Sequence, residues 1–413
     1  MNPASSQPWY RTITPAQWRV LGAALPGWML DSMDVVIYLE AITTLREVFH
    51  FDTTEAGLLA TATLLTSAVG GIFFGVLADK IGRTRALMTS ILVYSLCSLG
   101  TATSQSLVQL MIWRSLLGLG MGGEWACGAV LVSETWPAEH RGKALSIMQS
   151  GWALGYMLAA VISALILPTL GWRWLFVVGA LPALLIAWMR RGVGESEMWL
   201  AQKRSSTGES PLKCLLQKPW LERMLTATLL TALTMFAYWG LFSWLPAFLG
   251  TPVEKGGAGM NIVKSTGWIV TMQTGAFFGY LSFGFIADRL GRRCTFMLFM
   301  VAAAILVPVY GAMARNEWAL MALGPFLGFF GSGYFSVFGV MLSELFPTQV
   351  RAAAQGICFN VGRALSALAP FVIGLLAKTH GIGPALALTS AFFVAAALVM
   401  LLIPETRGGK LES

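Results

Sequence analysis

GVLADKIGRTR at residues 75–85 returns as GFIADRLGRRC at 284–294, and SETWPAEHRGKALS at 133–146 returns as SELFPTQVRAAAQG at 343–356. The copies are offset by 209 and 210 residues, so the chain is built from two repeats that run in the same orientation. Each copy is a short polar segment between long apolar runs. Working outward, runs of about twenty apolar residues recur to both ends, each long enough to cross roughly 30 Å of hydrocarbon as a helix. Twelve are expected, near 19–43, 55–78, 86–104, 107–131, 144–167, 172–190, 223–249, 264–287, 295–313, 317–341, 352–378 and 382–403. They are apolar all round rather than alternating, which argues against a barrel. The expectation is an all-α integral membrane protein with twelve transmembrane helices in two homologous six-helix bundles. The bundles cover 1–190 and 223–413, and a polar, basic segment at 191–222 links them.

Of 413 residues, 56% are hydrophobic and only 12% charged, too little charge to coat a water-soluble enzyme. A net charge of +8 raises nucleic acid as a partner, but the basic residues follow loops instead of forming a stripe. Arg11, Arg19, Lys80, Arg83, Arg85, Arg141, Lys143 and the basic residues of 190–223 fall on one side, with Arg289, Arg292, Arg293, Arg351, Arg407 and Lys410. Arg46, Arg173, Lys255, Lys264, Arg315 and Lys378 fall on the other. This bias places both termini in the cytoplasm. Five scattered cysteines and three loop-side histidines offer neither a disulfide framework nor a metal cluster. No nucleophile–base pair or phosphate-binding loop stands out, so an enzyme is not expected, nor any cofactor beyond protons as a coupling ion. The expected setting is membrane lipid, around a functional monomer.

Charge inside an apolar span is costly and marks function. Asp31 and Asp34 are three residues apart, on one face of the first helix. Two like charges in a dry site do not both stay ionised easily, so the pair is a candidate proton acceptor, with Asp34 preferred as the deeper member. Glu124, among the glycines of GMGGEW at 120–125, is a second proton candidate, and Arg114 completes the coupling group. Arg363 lies near the middle of the eleventh span. A guanidinium keeps its proton and needs an anion, either a resident carboxylate or that of a solute. Asn360, one turn earlier, is a candidate to orient it. Gln273 and the aromatic residues Tyr38, Trp125, Tyr238, Trp239, Tyr334, Phe335 and Phe359 are further cavity candidates within the spans. Arg114 and Glu124 have uncharged counterparts, Gly324 and Tyr334, in the second half. Proton chemistry is therefore expected in the first half and solute recognition in the second. The repeated loops supply candidate gating residues: Asp79, Arg83, Arg85, Glu134 and Arg141, with Asp288, Arg292, Arg293, Glu344 and Arg351.

The loop pattern GxLADKxGRxR and its second copy resemble the signature of the major facilitator superfamily. The likeness extends over the twelve spans, the central basic loop, RSLLGLG at 114–120 and PETRG at 404–408. GWMLDSMD at 27–34, GMGGEW and SETWP at 133–137 resemble its sialate and lactate proton symporters, with aromatic-acid symporters next. The resemblance implies alternating access and a proton-driven import of a small organic anion at a bacterial inner membrane. In the aromatic-acid group an acidic pair in the first helix is implicated in transport. The substrate order expected is a monocarboxylate such as lactate, then sialate, then an aromatic acid. Exporters of the superfamily share a Gly-Pro motif in the fifth span; GWALGYMLAAV at 151–161 has no adjacent Gly-Pro, so export ranks below import, with uniport and exchange open. A receptor that binds without transport ranks last.

Overall fold

The computed structural model describes residues 8–51, 53–180, 192–205, 211–250, 252–260 and 262–407. Among them there is no strand, and eleven helices are long and apolar enough to cross a membrane. The first half contains α1 (Pro15–Phe49), α2 (Thr53–Ile81), α3 (Arg83–Ala102), α4 (Leu107–Thr135), α5 (Arg141–Ile166) and α6 (Trp172–Val178). The sixth expected span, 172–190, lies partly outside the described residues. Two short helices, α7 (Glu197–Ser205) and α8 (Pro211–Leu215), follow in the linker. The second half contains α9 (Trp220–Phe242), α10 (Leu245–Gly250), α11 (Ile262–Leu290), α12 (Arg292–Ala312), α13 (Glu317–Ser332), α14 (Ser336–Leu345), α15 (Arg351–Ser366), α16 (Ala369–His380), α17 (Ile382–Ala387) and α18 (Thr389–Met400).

Local sequence sets several helix starts. Thr14 and Gln17 form a reciprocal capping box before Pro15, while Ser106 and Asn316 accept from the Gln109 and Ala319 amides to open α4 and α13. Two spans of the second half are interrupted. A 3-10 turn at Gly333–Phe335 separates α13 from α14, and Pro370, which has no amide hydrogen, sits at the start of α16. Their counterparts α4 and α5 are continuous.

The two halves use the same packing scheme. α2 lies against α4 as α11 lies against α13, and α1 packs on α5 as α9 packs on α15. Between the halves, α2 meets α15 and α5 meets α11. The repeated loop glycines make both seams tight: a Cβ at Gly75 would stand 2.6 Å from the Ala352 carbonyl oxygen, and one at Gly284 would collide with the Gly142 carbonyl.

Gly82 and Gly291 precede α3 and α12 with φ of 112° and 96° and offer no side-chain cap. The first amides of both helices therefore need an acceptor from elsewhere. Glu195 supplies it for α3, accepting from the amides of Arg83 (2.8 Å) and Thr84 (3.3 Å); Glu405 does so for α12, accepting from Arg292 (2.9 Å) and Arg293 (3.0 Å). The linker is thus clipped to the first half, where Trp199 also donates its indole N–H to the Asp79 carbonyl at 2.8 Å. Glu195→Ala and Glu405→Ala should each cost about 1–2 kcal/mol, by loss of a charge-assisted helix cap. Thermal unfolding in detergent should show two similar decreases in Tm, and near-additivity in the double variant, because the sites share no partner.

Candidate functional site

The repeated loops come together at one end of the molecule, here termed the basic end. Arg83 holds Glu134 with two hydrogen bonds of 3.1 Å, pairs with Asp79 at 2.9 Å, and donates across the seam to the Thr348 carbonyl at 3.0 Å. Arg351, from the other half, reaches the same Glu134 at 2.7 Å. Asp79 accepts from the Ala353 amide at 2.9 Å and so caps α15, a helix of the opposite half. The second seam repeats the arrangement more loosely. Glu344 stands 3.4 Å from Arg141 and 3.6 Å from Arg292, while Asp288 pairs with Arg292 at 2.9 Å and Lys143 at 3.6 Å. Arg141 and Arg351 each also donate to the equivalent backbone carbonyl, of Ser133 and Ser343. Eight of the ten expected gating residues meet here. Arg85 does not: its side chain is exposed and forms no ion pair among the described residues. Arg293 contributes its backbone amide to Glu405, and its half-buried side chain enters no ion pair there.

Deeper in the first half is a second charged group. Asp34 accepts from Arg114 at 3.0 Å and from the Ser98 hydroxyl at 2.7 Å, and Arg114 lies 4.6 Å over the Tyr38 ring. Tyr38 therefore supports the arginine and is not among the cavity-lining residues. Asp31 and Glu124 are as deeply buried, yet neither carboxylate has a hydrogen-bond partner among the described residues. The Tyr94 hydroxyl lies beside Glu124 without closing a hydrogen bond. Gly27 leaves room for Glu124, since a Cβ there would collide with its carboxylate. The strongest charged neighbour of Asp31 is Arg363. The geometry thus separates the two aspartates that spacing placed on one face. Asp34 is a closed ion-pair member, and Asp31 has no hydrogen-bond partner among the described residues.

Between the halves lies a small cavity, with about 30 Å³ open to a water-sized sphere. Trp28, Gln149 and Trp152 line it from the first half; Met235, Tyr238, Trp239, Tyr280, Phe335, Phe359 and Arg363 line it from the second. Arg363 is 4% exposed and occupies the last turn of α15, where the carbonyl end of the helix favours a cation. Its direct partners are weak: the Ser67 hydroxyl at 3.4 Å and the face of Phe359 at 5.3 Å. Among the described residues it is the one buried arginine with no carboxylate within 4.0 Å. Phe359 stacks on Trp125 across the seam at 3.6 Å, and Trp125 donates to Gln149 at 3.0 Å.

Several expected binding residues stand elsewhere. Asn360 bonds to the Gly122 and Gly356 carbonyls at 3.3 and 3.1 Å, so it clasps α15 to α4 instead of orienting Arg363. Tyr334 is fully buried among Phe296, Phe335 and Phe393, and Gln273 is buried on α11; neither lines the cavity. Trp125 acts from behind Phe359. Conversely, Trp28, Gln149, Trp152 and Glu195 were not singled out in the sequence. Glu195 had a usable signal, as it precedes Glu405 by 210 residues, the offset of the loops.

A sequence profile of the Major Facilitator Superfamily matches residues 16–282 and 259–413. A probable 4-methylmuconolactone transporter of Cupriavidus pinatubonensis is 35% identical over 98% of this chain and 94% of that protein. The cis,cis-muconate transport protein of Acinetobacter baylyi is 31% identical over 91% of this chain and 92% of its own. In three dimensions the chain is similar to a proton:xylose symporter of the same superfamily, with a TM-score of 0.80 and 20% identity over 96% of this chain and 98% of that one.

Glu134 is the carboxylate shared by two buried guanidiniums from opposite halves, and an amide in its place removes that shared charge and leaves Arg83 with Asp79 alone. In a background without the five native cysteines, Ser146→Cys, buried at the α5–α11 seam, reports opening of the basic end. Adding Glu134→Gln should raise its reaction rate with a water-soluble maleimide by about tenfold or more. Glu344→Gln should raise it less, as its ion pairs are longer.

Proposed function

The chain belongs to the Major Facilitator Superfamily, and from that premise we propose that it imports a planar organic anion together with protons by alternating access. It is a membrane transporter, not an enzyme, and its relatives carry small organic acids. The observation that carries the proposal is Arg363, a buried cation at the boundary of an aromatic cavity with no carboxylate within 4.0 Å among the described residues. A carboxylate from solution supplies the missing charge and matches the guanidinium fork. The surrounding rings favour a flat, unsaturated body over a lactate-sized or polyhydroxylated one. cis,cis-Muconate, in the name of one relative, is a flat conjugated acid, and 4-methylmuconolactone, in the name of the other, carries an unsaturated lactone ring.

Asp31 gives proton coupling a physical basis. Its carboxylate and the incoming anion compete for the field of Arg363. A proton on Asp31 removes the competitor, so proton and anion each favour the other's binding. Glu124 is a second unpartnered acid for the same task. Asp34 bonds to Arg114 and Ser98 and so ties α1 to α4 and α3. The bias of basic residues supports a cytoplasmic position for this end and both termini, at a bacterial inner membrane. One chain carries both halves of the cavity, which supports a monomer as the working unit.

In proteoliposomes an inward proton gradient should drive accumulation of benzoate or a similar planar acid. Failure of every planar acid to accumulate would overturn the proposal. Arg363→Gln should lower kcat/KM by about 100-fold or more, through loss of a buried charge-assisted pair. Asp31→Asn should abolish the response to the proton gradient while leaving exchange of labelled for unlabelled anion measurable. Asp34→Asn should instead lower Tm, because it leaves Arg114 as a buried unpaired charge.

A further inference from the structure

Among the described residues the first half contributes three side chains to the cavity, Trp28, Gln149 and Trp152, and two of them hold donors with no acceptor there. Trp28 is 2% exposed; it packs on Trp152 with ring centroids 4.8 Å apart, and its indole N–H finds no acceptor among the described residues. Gln149 accepts from the Trp125 indole at 3.0 Å through Oε1. That bond fixes which way the amide faces and leaves its NH2 with no acceptor among the described residues. Neutral donors in this position stand opposite in origin to Arg363: they come from α1 and α5, while the guanidinium comes from α15.

We propose that Trp28 Nε1 and Gln149 Nε2 form a second subsite that reads a neutral hydrogen-bond acceptor, such as a ring nitrogen, lactone or carbonyl oxygen, at the end of the substrate remote from its carboxylate. This rests on the anion reading above and names which planar acids are preferred. A substrate without such an acceptor leaves the Trp28 N–H desolvated and unpaired, the situation in which a buried site discriminates strongly between near-isosteric ligands. A substrate with one is held by both halves at once, so closure around it is coupled to its full recognition.

Nicotinate and benzoate test this, as they differ by one ring nitrogen in place of a C–H. In proton-driven uptake by the wild-type protein, the KM for nicotinate should lie about five- to tenfold below that for benzoate. Trp28→Phe keeps an aromatic ring and removes the N–H, and should bring the ratio of the two KM values close to one, whatever the absolute rates. Equal KM values in the wild type would overturn the subsite without touching the anion reading, and this arm stands even where the variant fails to fold. Retention of the preference in Trp28→Phe would overturn it as well. Uptake of neither acid would overturn the anion reading and the subsite together.

Discussion

A guanidinium buried between two apolar bundles without a carboxylate at contact distance is the constraint around which this structure is organised. Removing a charge from water costs several kcal/mol even after relaxation, and a cation that cannot shed its proton has few ways to lower that cost. Arg363 uses three partial ones: the carbonyl end of α15, the Ser67 hydroxyl and the face of Phe359. All are weaker than an ion pair. Asp31 is near enough to feel the charge but has no hydrogen bond to it. An arginine poised in this way gains most when an anion arrives, and a change in the charge of Asp31 alters that gain directly.

The gate follows the opposite logic. Arg83, Glu134 and Arg351 satisfy one another completely in a dry environment, and Asp79 adds a helix cap from the other half. Such a network does not make the closed form overwhelmingly stable, since desolvation offsets much of the attraction. It ties closure to both halves, because Glu134 is the one carboxylate that Arg83 and Arg351 share. The second seam, with contacts of 3.4 and 3.6 Å, is the looser copy. Glycine pairs at both seams set how near the backbones approach, and so whether these side chains can meet at all.

Much of the architecture was legible because repetition is a property of sequence alone. The loops and their constant offset gave two halves, and hydrophobic length gave the spans, before any contact was considered. The gate was legible for the same reason: a charged loop copied twice in one orientation must meet at one end. What spacing could not reveal was which neighbour each buried polar group finds. Asp31 and Asp34 share a helical face, yet only Asp34 lies across from Arg114 and Ser98, a choice made by α3 and α4. Asn360 reads as an arginine-orienting residue one turn away, but the close approach of α4 takes its amide instead. Tyr334 packs behind the cavity-lining Phe335, with ring centroids 4.9 Å apart, and faces Phe296 and Phe393 in the core instead. Trp28 and Gln149 were missed because an indole and an amide in a membrane helix stand out only once the cavity they line is known.

The most direct measurement is an experimental structure with a heavy-atom derivative of a planar acid, such as 4-bromobenzoate, located by its anomalous signal. The account predicts one molecule between the halves, its carboxylate about 3 Å from the Arg363 guanidinium and its ring within the wall formed by Phe359, Phe335 and Trp152. An anion bound outside this cavity, or Arg363 joined to Asp31 with the ligand present, would contradict it.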